Sequence, residues 1–240
     1  MSGGGIDPGQ PDLQIRRQAQ LRRRRHRMVA GVAAAVLVLV LVWVVGWSPA
    51  FVVREVLVHG TSLTSQQQVE DAAAVPLGQP LGQLDTAAVA RRVESLPTVA
   101  SARVSRSWPS SAVIDVTERS IVYQRVDGQQ YQWIDSQGVI FQVSAQRQQV
   151  PVANLPSTDD RQLLADVATV VAALPTDVRT RVQSLQASSR NNILVVLDRN
   201  QSIFWGGSQQ SDLKASLLPV LLAQQGNVFD VSAPSDPAIK

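Results

Sequence analysis

The hydrophobic positions along this chain change period several times, and each change predicts a different element. From Met28 to Trp47 twenty residues pass without a charge, mostly Val, Leu and Ala. As a helix such a run spans about 30 Å, the thickness of a bilayer's hydrocarbon core, so 28–47 is read as a transmembrane helix. Phe51 to His59 (FVVREVLVH) alternates in strand fashion and is stopped by Gly60. A helix follows, with Thr64 as its cap, Gln67 three residues on as in a capping box, and Val69, Ala72 and Ala73 on one face before Pro76 and Gly78 end it. Asp85 caps a second helix with the stripe Val89, Val93 and Leu96, closed by Pro97. Val99 to Trp108 and Ala112 to Glu118 alternate with period two around Pro109-Ser110-Ser111, which predicts a hairpin. Strand, helix, helix, strand, strand over 51–119 makes a small unit with two helices on one face of a three-stranded sheet.

Beyond residue 120 the pattern becomes a meander. Short strands are predicted at Ile121 to Val126, Gln130 to Ile134 and Val139 to Ser144, joined by turns at Asp127-Gly128 and Ser136-Gln137-Gly138. Val150 to Leu155 adds a strand, and a helix starting near Thr158 carries Leu163, Leu164, Val167, Val170, Val171 and Leu174 before Pro175. Val182 to Leu185, Ile193 to Leu197 and Ser202 to Trp205 read as strands. A helix capped at Ser211, kinked at Pro219 and ended at Gly226 comes next, then a final strand Asn227 to Ser232. Pro234 and Pro237 argue against regular structure after it, so 234–240 is read as a disordered tail. The expected class is α+β: a transmembrane helix, the small unit, and a mixed or antiparallel β-domain with two helices over 120–233.

Charge settles the orientation. Residues 1–27 hold seven arginines (16, 17, 22 to 25 and 27) against Asp7 and Asp12, a formal +5, so with +3 for the whole chain the rest carries about −2. The basic pI thus describes a tail, and the bulk lacks the basic surface of a nucleic-acid reader. By the positive-inside rule the tail is cytoplasmic, its first residues disordered and its arginines near anionic lipid, and the C-terminal domains lie outside the membrane. A cleaved signal peptide is the rival, but its apolar core is shorter and ends in small-x-small, whereas Trp47-Ser48-Pro49 follows here. The absence of cysteine agrees with an extracytoplasmic domain free of disulfides.

The inventory for catalysis is thin. His59 is the one histidine beyond the tail, with no second His or Cys to complete a metal site or triad. Ser211-Asp212-Leu213-Lys214 matches the Ser-x-x-Lys pattern of penicillin-binding proteins, but no Lys-Thr-Gly or Ser-x-Asn companion occurs, so a capping Ser211 and a solvated Lys214 are expected. No phosphate loop is present, and Gly206-Gly207 reads as a turn. Trp108, before Pro109, could anchor a partner, as could Trp133 and Trp205, but all three are expected to cover core. No reaction and no cofactor are predicted.

Several phrases together resemble the FtsQ/DivIB bacterial division proteins: Val56-Leu57-Val58-His59-Gly60, the run Leu96 to Val104 (LPTVASARV), Arg106-Ser107-Trp108-Pro109, Val116-Thr117-Glu118-Arg119, the run Trp133 to Phe141 (WIDSQGVIF), and Val150-Pro151. The likeness extends from the tail to about Ala233. Two departures lie near the end, Asp198-Arg199-Asn200 in place of an Asp-Gly turn and Val231-Ser232 in place of an arginine after the final strand's acid. The resemblance implies a single-pass membrane protein of the division septum, with a POTRA domain and then a β-domain. It implies a noncatalytic scaffold that binds other division proteins, the FtsB/DivIC-like and FtsL-like partners, by strand addition to the exposed edge of the final strand. Nothing in it calls for a nucleic acid or a small-molecule substrate. The residues so implicated are Asn227, Val228, Phe229, Asp230, Val231 and Ser232. A terminal strand's unpaired backbone groups suit that role. Val228 and Phe229 either meet the partner or close the core, since alternate positions of a strand point opposite ways. A POTRA-type envelope chaperone or transport component is the competing reading, although repeated POTRA units and a barrel are not visible; a membrane-anchored hydrolase working through Ser211 and Lys214 is a third.

Overall fold

The protein is described by a computed structural model over residues 28–40, 43–44, 51–156 and 160–239. Residues 28–40 and 43–44 are helical, with Met28, Val32, Leu39 and Trp43 exposed. Among the described residues no helix is long and apolar enough to cross a membrane. Positions 41–42 and 45–47 of the expected transmembrane run, and the whole tail 1–27, lie outside the described residues. Backbone proximity divides the chain into two units, and the division runs through the smaller sheet: of the described residues, 28–40, 43–44, 51–57, 75–87 and 104–114 fall in one unit, and 58–74, 88–103, 115–156 and 160–239 in the other.

The elements over 51–119 form in the expected order: β1 (Glu55–His59), α1 (Gln66–Ala73), a 3-10 turn (Leu81–Gln83), α2 (Thr86–Glu94), β2 (Val99–Ser107) and β3 (Ser111–Glu118). The sheet order is β1-β3-β2. In the first unit Val53, Leu81, Leu84, Ala112 and Ile114 are buried, and Trp108 stands edge-on to Phe51 with ring centroids 5.6 Å apart. In the second, Val69 and Ala73 of α1 and Val89 and Val93 of α2 are buried at helical spacing. The cap of α1 is Ser65, with Gln68 completing the capping box, rather than Thr64 with Gln67. Thr64 is engaged elsewhere: its hydroxyl bonds that of Thr98 at 2.6 Å and its N–H donates to Glu118. Gly60 has φ +83°, and a Cβ there would lie 2.1 Å from the carbonyl oxygen of Val116, so strand pairing at this position requires glycine.

The rest of the chain builds one mixed sheet of nine strands. In chain order these are β4 (Tyr123–Asp127), β5 (Gln130–Ile134), β6 (Ile140–Ser144), β7 (Val152–Asn154), β8 (Val182–Ser189), β9 (Asn192–Leu197), β10 (Ser202–Gly206), β11 (Val228–Asp230) and β12 (Ala238–Ile239). Across the sheet they run β12-β11-β10-β9-β8-β7-β4-β5-β6. The β4/β7, β7/β8 and β10/β11 pairs are parallel. Three helices, not two, belong to this part: α3 (Arg161–Ala173), the short α4 (Thr176–Thr180) and α5 (Ser211–Leu221). α4 escapes a periodicity search because its five residues bury only Val178. Val167, Val170 and Val171 of α3 and Leu218 of α5 join Tyr123, Ile134, Leu185, Ile193, Val195 and Trp205 in one buried cluster. The α3 cap is Asp160, whose carboxylate accepts from the N–H of Gln162 and of Leu163. Gly138, at φ +72°, lets the Asp135–Val139 turn approach α3, since a Cβ would meet the carbonyl oxygen of Arg161 at 2.4 Å.

Candidate functional site

The sheet ends at the strands formed by the last residues of the chain. β11 runs parallel to β10 with Ser202 opposite Val228, Ile203 opposite Phe229 and Phe204 opposite Asp230, an arrangement that requires the crossover through α5. Val231 donates its N–H to Phe204, and Asn227 accepts from Ser202. The alternation of side chains is sharp: Phe229 and Val231 have no exposed surface, whereas Val228 is 37% exposed. Phe229 is therefore core, which resolves the two readings of that residue. The Asp230 carboxylate accepts from the N–H and the hydroxyl of Ser232 at 3.0 and 2.7 Å, tying the end of the strand to its own turn.

The outer side of β11 is not open. β12 lies antiparallel against it, with Ile239 opposite Phe229 and Ala238 opposite Asp230. The expectations of an exposed β11 edge and of a wholly irregular 234–240 are both corrected. A proline removes only its own N–H and restricts its own φ. Here Asp236 N–H donates to Ala233 in a turn, the chain reverses, and Ala238 and Ile239 beyond Pro237 are free to pair. The terminal strand of the sheet is thus β12, two residues long, with β11 backing it.

Ser211 and Lys214 also differ from expectation. Ser211 is the first residue of α5 rather than its cap, because Gln210 occupies the cap position in the left-handed region (φ 55°). The Ser211 hydroxyl donates to the Ser208 carbonyl and accepts from Trp205 Nε1. Lys214 is 3% exposed, not solvated, and its Nζ donates to the carbonyls of Trp205 and Gly207 at 2.9 and 2.8 Å. Burial pushes the Lys214 pKa down, and the charge of Asp230 opposes this. The pair is therefore spent on separate backbone and ring partners, without the nucleophile-to-base hydrogen bond that a Ser-x-x-Lys enzyme uses. Gly206, at φ +73° with Ser232 Cβ 2.8 Å from where its own would be, brings β10 and the end of β11 together. The sequence held one clue to this polar base of the margin, the placement of Ser211 and Lys214 one helical turn apart after Gly206-Gly207.

The remaining candidates differ in burial, and Trp108 does not cover core as expected. His59 is exposed, with Nδ1 3.4 Å from Asp115. Trp205 is core, Trp133 stands edge-on to Phe141, and Trp108 is about half exposed. Among the described residues no three His, Cys, Asp or Glu side chains converge as metal ligands. An unforeseen cluster surrounds Glu118, which accepts from the N–H groups of Ser62, Leu63 and Thr64 and from the Ser62 hydroxyl, at 2.7–2.9 Å in each shortest contact. Burial raises its pKa, but these donors together outweigh that effect and bring it to about 2.

A strand-helix-helix-strand-strand segment of POTRA type followed by a mixed sheet makes this an α+β protein. Residues 51–119 match the family described as POTRA domain, FtsQ-type, and residues 122–234 match Cell division protein FtsQ/DivIB, C-terminal. A Streptomyces bingchenggensis protein described as Cell division protein FtsQ is 34% identical over 236 residues, covering 93% of this chain and 89% of that protein. A protein of the same description from Mycobacteroides abscessus is 34% identical over 196 residues, covering 81% of this chain and 63% of its own length. The solved extracytoplasmic domain of the division protein DivIB from Geobacillus stearothermophilus aligns with 16% identity and a TM-score of 0.35, over 45% of this chain and 93% of that one, a likeness too low to bear on the fold. The chain belongs to the FtsQ/DivIB family of cell division proteins.

Proposed function

We propose that this chain is a noncatalytic scaffold of the division complex, anchored by a single transmembrane helix over 28–47 with the arginine tail in the cytoplasm. The domains at 51–119 and 120–233 would then work outside the membrane, at the septum, by binding FtsB/DivIC-like and FtsL-like partners. The transmembrane reading rests on the charge-free run behind seven arginines. The docking reading rests on one observation: the larger sheet ends in a strand of two residues, beyond which no further strand lies among the described residues. A partner segment laid along the outer side of β12 continues the sheet, gaining backbone hydrogen bonds. Asn227 to Ser232 then serve as the strand behind the docking edge, with Phe229 and Val231 anchoring it in the core and Val228 and Asp230 available for side-chain contacts.

Copurification tests this. The full chain in detergent, coexpressed with FtsB-like and FtsL-like partners, is compared with a chain ending at Pro237 and with one ending before Asn227. Both truncations are expected to lose the partners, and an unchanged urea-unfolding midpoint in the shorter deletion certifies its fold. Equal recovery with the Pro237 truncation rejects β12 as the docking edge.

A further inference from the structure

A groove of about 760 Å³ opens on the larger sheet's unit, away from β11 and β12 in the sheet order. It is lined by the buried Val171, the half-buried Val122, Val150 and Pro151, and the exposed Arg147 and Arg179. No carboxylate lines it. Neither arginine belongs to an ion pair among the described residues. Arg147 is exposed, and Arg179 directs Nη2 to the carbonyls of Ala172 and Leu174, both at 2.9 Å, at the end of α3.

Both walls are held in place. Gln124, with no exposed surface, places its whole amide against the 148–151 segment: Nε2 donates to the carbonyls of Gln148 (2.8 Å) and Val150, and Oε1 accepts from Gln148 N–H (3.1 Å). Its backbone N–H donates to Pro151. A segment without regular structure is thus fixed by a fully satisfied buried amide, while Arg179 fixes the opposite wall by capping α3. The size falls within the range of ligand-binding clefts, about 300–1,000 Å³.

The geometry points to this groove as a docking site for an acidic, aliphatic peptide segment of a partner protein, its leucine- or valine-like side chains against the valines and Pro151 and its carboxylates drawn to Arg147 and Arg179. The chain's own tail is excluded by charge, since its seven arginines would face two more. The site is separate from the β12 edge and does not depend on it.

The test uses the full chain in lipid nanodiscs and a fluorescent peptide alternating glutamate and leucine, read by polarisation, with glutamine-leucine and lysine-leucine peptides as controls. The glutamate peptide is expected to bind saturably and roughly tenfold or more tighter than either control, by charge complementarity. Arg147→Glu, on an exposed residue outside the core, is expected to weaken it by a similar factor, and Ala172→Trp to block the groove sterically. The chain ending at Pro237 is expected to keep the peptide affinity, which separates this site from the sheet margin. Equal binding of the glutamate and glutamine peptides, no effect of Arg147→Glu, or displacement by inorganic phosphate alone, which would mark a simple anion site, would each overturn the assignment.

Discussion

Glu118→Gln is the substitution whose consequence follows most directly from the geometry. The carboxylate sits among the N–H groups of Ser62, Leu63 and Thr64 and the Ser62 hydroxyl, and its pKa falls from 4.5 to about 2 although burial alone would raise it. By linkage that shift is worth at most about 3 kcal/mol, and solvent screening of a partly exposed group reduces it to about 2 kcal/mol. The sign follows from a folded-state pKa below the unfolded one. The contribution is complete above the unfolded value of 4.5 and is lost as pH falls toward about 2. A glutamine offers one acceptor oxygen and turns an N–H₂ toward donors, so most of this stabilisation disappears at neutral pH. Hydrogen exchange at the Leu63 and Thr64 amides reads it locally: a loss of about 2 kcal/mol speeds exchange about thirtyfold if opening is local. The wild-type protection, corrected for intrinsic rates, is expected to decline between pH 5 and pH 3 while that of the variant stays flat. Unchanged protection in the variant at pH 7, or parallel pH dependence in the two proteins, would refute the reasoning.

Other substitutions probe the core, the turns and the buried lysine. Gly138→Ala brings a Cβ within 2.5 Å of the backbone of Arg161 and Ala165 at a left-handed φ, and is expected to cost about 3 kcal/mol or more in urea unfolding. Phe229→Ala is expected to cost about 3–5 kcal/mol, and Val228→Ala to stay within about 0.5 kcal/mol, because the first side chain is core and the second faces outward. Lys214→Met leaves the Trp205 and Gly207 carbonyls without their ammonium donor and is expected to destabilise by about 1–3 kcal/mol. The same variant is expected to retain the division partners in copurification and to support division; lost division function with fold and partners intact would favour the hydrolase reading.

Local periodicity carried much of the fold. The span Gln130–Ile134 has the bounds its alternation and flanking turns predict, and the β2/β3 hairpin forms around Pro109. What the pattern lacks is long-range pairing. β7, three residues long, is inserted between β4 and β8 by parallel contacts to strands far off in sequence, and nothing in Val152–Asn154 announces its neighbours. β12 was hidden by Pro234 and Pro237, whose effect on the backbone is narrower than their reputation as breakers. Ser65 displaced Thr64 as a cap because Thr64 has a tertiary partner in Thr98, 34 residues away. Lys214 looked solvated because its two carbonyl partners are gathered by the fold and not by helical spacing.

The wall built by Gln124 has a practical consequence for work on the groove. An amide bracing a loop has no charge to screen and no proton to lose, so ionic strength and mild changes of pH leave the 148–151 segment where it is. Any salt sensitivity in a ligand's affinity there therefore reports on the guanidinium groups, and a simple sodium chloride titration distinguishes attraction by Arg147 and Arg179 from fit to the valines and Pro151.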